Sequence, residues 1–146
     1  MNDLSIKIKA ELENIDQIFQ ELPNSKKLYT LSNLELAGVA ALLHNFYNRI
    51  ENILKQILIS MYVSIPEGKT WHKYLLNLAE EKSIINKVMK HKIGEYLAFI
   101  HFFSHAYALD LYAEKMESLV KSSESVYTQF KMRGGYPLPQ NIHVLI

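Results

Sequence analysis

The chain contains no cysteine, and that one absence removes two classes of explanation. No disulfide framework can staple a small core, and no thiolate can hold zinc or an iron–sulfur cluster. A cysteine-free chain fits a reducing compartment, so the expected location is cytoplasmic. Glycine and proline are nearly as scarce, five and four in 146 residues, so breaks are few and the segments between them are long. No run of about 18 apolar residues occurs, so no membrane span is expected. The opening Met1-Asn2-Asp3-Leu4 carries an early charge and no apolar stretch of the signal-peptide kind, so no leader is expected either. Neither sign of charge is in excess. A net charge of +1 neither demands nor excludes nucleic acid, and a polyanion site would have to rest on a local patch.

What is present is apolar surface: 49% hydrophobic residues, enough to give one domain of this length a core without staples. Its periodicity is helical throughout. Leu4, Ile8, Leu12, Ile15, Phe19 and Leu22 recur by threes and fours until Pro23-Asn24-Ser25 ends the pattern, and Lys26 to Thr30 reads as a basic connector. Ser32-Asn33-Leu34-Glu35 is a capping box, in which hydroxyl and carboxylate satisfy the first free amide protons of a helix. Leu36, Val39, Leu43, Phe46, Ile50, Ile53, Ile57 and Met61 then carry a helix to about Val63, roughly 45 Å at the usual rise. Its other side bears Asn45, Asn48, Asn52 and Gln56, a face poor in charge that invites cover by a second helix or a second subunit.

Ile65-Pro66-Glu67-Gly68 is a turn, and Thr70 is the expected cap of a short helix over Trp71 to Ala79. Ser83 opens a further pattern with Ile84, Val88, Ile93, Leu97 and Ile100 inward, running to about His105. Ala108-Leu109-Asp110 reads as a break. A last helix follows with Leu111, Met116, Leu119, Val126, Tyr127 and Phe130 in the core, stopped by Gly134-Gly135. The predicted fold is all-α, an antiparallel bundle of four main helices and a short fifth over residues 1–133, with 134–146 an irregular tail.

Chemistry concentrates in Ile100-His101-Phe102-Phe103-Ser104-His105-Ala106-Tyr107. His101 and His105 are four apart and share a helix face about 6 Å apart. A zinc pair needs a third ligand, and only His72 and His91 offer themselves, at no diagnostic spacing; no metal is expected. Alternatively both rings pack among Phe99, Phe102 and Phe103. The acid–base reading uses the imidazole's neutral-range titration and needs cations nearby to hold phosphate charge. Lys82, Lys87, Lys90 and Lys92, with His91, form the most basic stretch, and Lys87, Lys90 and Lys92 are the candidate RNA contacts. The same run equally describes a solvated helix face. Trp71, Tyr62, Phe46, Tyr47 and Tyr96 fall at core-like spacing, while Asp110, Glu114 and Glu117 read as cap and surface. No glycine-rich phosphate loop or nucleophile triad is visible, and no cofactor is expected.

Three ordered segments resemble one family. Residues 40–54, with His44-Asn45-Phe46-Tyr47-Asn48-Arg49, are similar to the long second helix of HepT-like HEPN proteins. Thr70-Trp71-His72-Lys73-Tyr74-Leu75-Leu76 resembles the tryptophan–histidine segment that follows it, and residues 101–110 resemble the signature segment. The resemblance spans about Leu34 to Phe130. It implies a dimeric all-α HEPN-like bundle that acts as the toxin of a toxin–antitoxin pair, a metal-independent endoribonuclease whose two motif copies meet in a cleft. It further implies a minimal nucleotidyltransferase antitoxin that silences the toxin by placing AMP on a tyrosine.

Position by position, His105 matches the motif histidine and Tyr107 the modified tyrosine, while Ile100 stands where the family has arginine. Loss of one preorganised donor costs about 10²–10³ in rate, so the resemblance fits either an active ribonuclease or a degenerate relative. His101 is the candidate for partial replacement of that charge, which makes His105, Tyr107 and His101 the catalytic set. The alternative is a non-enzymatic helical module that docks a nucleotidyltransferase.

Overall fold

The computed structural model describes residues 3–65, 67, 68, 70–105 and 113–132, with the backbone alone at His105. Among the described residues five α-helices follow in order: α1 Asp3–Glu21, α2 Asn33–Ser60, α3 Trp71–Glu81, α4 Lys87–His105 and α5 Ala113–Lys131, with a short 3-10 helix Ser25–Thr30 between the first two. No strand occurs among the described residues, and the expected all-α bundle is what the chain forms. Expectations resting on Tyr107, Ala108-Leu109-Asp110, Leu111, Gly134-Gly135 and the tail lie outside the described residues.

The capping box forms as read: Glu35 N–H donates to Ser32 Oγ at 3.2 Å, and Ser32 N–H donates to Glu35 Oε1 at 2.9 Å. That start places Leu36, Val39, Leu43, Phe46, Ile50, Ile53 and Ile57 inside, and α2 becomes the central helix, touching α1, α3, α4 and α5. The asparagine face of α2 is half-buried, and Asn45 accepts from Arg49 Nε, whose guanidinium also pairs with Glu11 of α1. Cover for that face therefore includes a helix of the same chain. Neighbouring helices run antiparallel, and aromatic rings knit them: Phe19 of α1 contacts both Phe46 and Tyr127, and Phe46 meets Tyr96 edge-on at 5.2 Å. Tyr96 Oη donates to the Leu119 carbonyl at 2.7 Å, and Tyr127 Oη bonds to Leu12 and Asp16, so two buried phenols tie α4 and α1 to α5.

Several local expectations differ from what forms. Lys26 to Thr30 is not a bare connector; it is a 3-10 helix whose N-terminus Asn24 caps and which packs against α5, with Leu28 buried. Thr70 precedes α3 but makes no side-chain cap bond. Residues 83–86 do not begin α4. Ser83 takes φ +58, Ile84 N–H bonds back to Ala79 and Ser83 N–H to Glu80, which is a Schellman closure of α3. The helix starts at Lys87, and Asn86 Oδ1 accepts from Met89 N–H at 2.7 Å. That later start shifts the inward stripe to Met89, Ile93, Tyr96, Leu97 and Ile100, and Val88 turns out, 61% exposed.

Tyr62 is also not core. It is 98% exposed at φ +61, where Tyr62 N–H bonds to Ile59 and Val63 N–H to Leu58 in a second Schellman closure. The residue that ends a helix this way has its side chain thrown clear of the packed face, whatever its hydrophobicity.

Candidate functional site

Helix α4 divides the candidate residues between two grooves. On one side, α4 and α5 enclose a depression of about 550 Å³ lined by Lys87, Val88, His91, Lys92, Ser122 and Val126. On the other, α3 and α4 form a groove of about 410 Å³ with Lys73, Asn77, Lys90, Gly94, Ala98 and His101 along it. Successive residues of a helix are turned about 100° from one another, so a run of basic residues in sequence cannot be one stripe in space. Lys87 and Lys92 therefore share the α4/α5 depression, and Lys90 belongs to the opposite groove.

Their charges are spent differently. Lys90 Nζ pairs with Glu80 Oε1 at 2.5 Å and also reaches Asn77, closing the loop end of the α3/α4 hairpin. Lys92 donates to Gln129 at 2.9 Å across to α5, and His91 stands 3.3 Å from Glu95 one turn on. Lys87 has neither a hydrogen bond nor an ion pair with the described residues.

His101 is exposed and does not pack among the phenylalanines. Phe99 stacks on Phe103 with ring centres 6.3 Å apart, Phe102 lies under the Lys115 ammonium at 5.1 Å, and the imidazole of His101 faces the α3 side of the helix. Ile100, one residue earlier and about 100° round the helix, is 7% exposed, a member of the core with Ile93, Tyr96 and Leu97. A side chain at position 100 is thus directed into the bundle. His105 is the last residue of α4, and Tyr107 lies outside the described residues, so neither side chain adds geometry.

A cluster unannounced by the sequence lies at the junction of α2 and α3. Glu51 is the one buried charged residue among those described, 3% exposed in the middle of α2. Its Oε2 accepts from Tyr47 Oη at 2.8 Å and meets His72 Nδ1 at 2.6 Å. If the carboxylate is ionised, Nδ1 carries the hydrogen of that bond. Burial first, then the Glu51 charge and hydrogen bond, hold the Tyr47 phenol far above its ordinary range. Trp71 packs on His72 with ring centres 3.8 Å apart, and Lys55 Nζ stands 4.0 Å over the indole. The clue was Tyr47 and Glu51 four apart on the same apolar stripe, a position where a carboxylate is tolerated only with partners. Its second partner comes from 21 residues away, beyond any local pattern.

Among the described residues no group of three metal-ligating side chains converges, and no helix is long and apolar enough to cross a membrane. No curated protein matches the chain, and no solved structure does. The family model described as HepT-like protein matches residues 38–133, which takes in most of α2 and all of α3, α4 and α5, with both grooves and the Glu51 cluster, and the chain therefore belongs to the HepT-like family.

Proposed function

We propose that the chain is a HEPN-type toxin that cleaves RNA without a metal, and that it acts as a cytoplasmic dimer whose site is composed from two copies of the end of α4. The observation that carries this reading is the family match over residues 38–133, which spans the segment matching the family's motif. His105 takes the proton from the ribose 2′-hydroxyl. The 2′-oxygen then attacks phosphorus, the bond to the 5′-oxygen breaks and that oxygen is protonated, leaving a 2′,3′-cyclic phosphate. Tyr107 positions the substrate and accepts AMP from a minimal nucleotidyltransferase antitoxin. His101 contacts phosphate with Lys90 in the same groove, and Lys87 and Lys92 meet RNA from the α4/α5 side of the helix. The catalytic domain is residues 1–133, and 134–146 is a tail.

The experiment is cleavage of RNA in excess EDTA by the purified chain, with the products' ends identified and the oligomeric state measured by sedimentation. Cyclic phosphate ends that vanish with His105→Ala are expected. Cleavage that needs a divalent ion, or a wild type that is monomeric at micromolar concentration yet fully active, refutes it.

One observation favours a second reading. Ile100 stands at the arginine position and is buried as packing. A helical module that docks the nucleotidyltransferase without cleaving anything needs no cation there. Capture of the nucleotidyltransferase by a wild type that leaves RNA intact would establish it.

A further inference from the structure

Lys73 lines the α3/α4 groove from α3, and it is exposed. The charges around that groove are Lys73, Lys90, Glu80 and, when protonated, His101. Glu80 is already taken by Lys90. Lys73 has neither a hydrogen bond nor an ion pair with any described residue, and His101 has neither as well, so the mouth of the groove carries an uncompensated positive charge.

The two helices are antiparallel and pinned by the Glu80–Lys90 pair. Counting seven residues away from the pin, about 10 Å along each helix, reaches Lys73 on α3 and Leu97 on α4, with His101 one turn farther. Between them the groove is shallow and open: Gly94 and Ala98 form its α4 wall, and a Cβ added at Gly94 would meet nothing within 4 Å. A backbone of another molecule can approach there without displacing a side chain.

We propose that Lys73 is a further cation that contacts RNA phosphate in this protein, beside His101, reaching from α3 into the groove that runs to that histidine. This rests on the ribonuclease reading. The usual source of the charge, position 100, is an isoleucine here, buried and about 100° round α4 from His101, so it brings no charge to the groove. An ammonium on a long stem, free of any carboxylate, is suited to a phosphodiester. It acts as a point charge, so arginine should replace it while a neutral side chain should not.

The test is steady-state cleavage of a defined RNA by the full chain carrying Lys73→Ala or Lys73→Arg, together with the salt dependence of binding a 2′-deoxy-substituted, uncleavable oligonucleotide. Lys73→Ala should lower kcat/KM at least about tenfold and reduce the slope of log affinity against log salt by about one. Lys73→Arg should stay within threefold of wild type. Lys121→Ala, on α5 beside Phe19 and Pro23, should change neither. Lys73→Ala that cleaves and binds as wild type does, while His105→Ala is inactive, overturns the assignment of Lys73 and leaves the ribonuclease reading standing. A wild type that cleaves nothing overturns both. Loss of an acidic protein partner on Lys73→Ala with RNA cleavage unchanged also overturns it, because the groove then serves a protein.

Discussion

Removing His72 is the perturbation with the clearest structural arithmetic. Glu51 is 3% exposed and has two partners: the Tyr47 hydroxyl at 2.8 Å and the His72 imidazole at 2.6 Å. His72→Ala leaves a buried carboxylate with one neutral donor. Stripping one partner from a buried pair costs about 3–5 kcal/mol. His72 is itself 32% exposed, so water can refill part of the space, which brings the expected loss to about 2–3 kcal/mol. Glu51→Gln is milder, because an amide oxygen in the place of Oε2 still accepts from Tyr47 Oη and from a His72 Nδ1–H; about 1 kcal/mol is expected. Once Glu51 is neutral, losing His72 strands no charge, so the double variant should be more stable than the sum of the single losses by about 1–2 kcal/mol. Urea unfolding with unchanged m-value measures all four corners of the cycle. A His72→Ala loss below about 0.5 kcal/mol, or additive single losses, would refute the claim that His72 compensates a buried charge. The outcome bears on function, since His72 bolts the start of α3 to α2 and thereby fixes Lys73 beside it in the α3/α4 groove.

Alkaline unfolding should report the buried phenols. Burial, opposed by the Ser122 hydrogen bond and assisted by the Glu95 charge, pushes Tyr96 from 10.0 up to about 12. The folded chain therefore holds a proton that the unfolded chain loses, and the contribution, complete below pH 10, should fall by about 2–3 kcal/mol between pH 10 and 12, a loss that Tyr96→Phe flattens in denaturant titrations. Tyr62→Gly should raise stability by about 0.5–1 kcal/mol, because glycine adopts the positive φ freely and the lost side chain is fully in solvent; a lower melting temperature would show that Tyr62 is held by a contact. Ser32→Ala removes half of the α2 capping box and should cost about 1 kcal/mol in the same unfolding assay.

The helices were legible because their signals are local. The Ser32–Glu35 box and the spacing from Leu36 to Ile57 define α2 within a few residues, and both reappear as hydrogen bonds and burial. Val88 and Tyr62 leave their expected core places for one reason. Hydrophobicity says that a residue prefers the core, while the exact start or end of a helix decides which way it points, and those ends are set by Asn86 and by two Schellman closures. The resemblance located the segment around His105, whereas what surrounds it came only from packing. His101 is turned away from the phenylalanines, and Lys90 is separated from Lys87 and Lys92 by the width of α4. The Glu51 cluster is not legible in the sequence because its histidine arrives from the next helix.

The fate of position 100 follows from which face of α4 it occupies. Lys90, Gly94, Ala98 and His101 follow one another by threes and fours along the face toward α3, while Ile93, Tyr96 and Ile100 follow one another along the buried one, with Leu97 on the border of the two. Ile100→Arg would therefore do two things together. It would install the residue that the resemblance implies there and place a guanidinium where 7% of the residue meets solvent. The long stem could carry the charge outward, but only by leaving the space that isoleucine fills against Tyr96 and its neighbours, and overpacking alone costs about 1–3 kcal/mol. A lower melting temperature is the expected result. Cleavage that nevertheless increases in the folded fraction would mean that the charge reaches phosphate from position 100. A folded Ile100→Arg variant with no gain, whose cleavage still collapses on Lys73→Ala, would mean that the phosphate is held from α3.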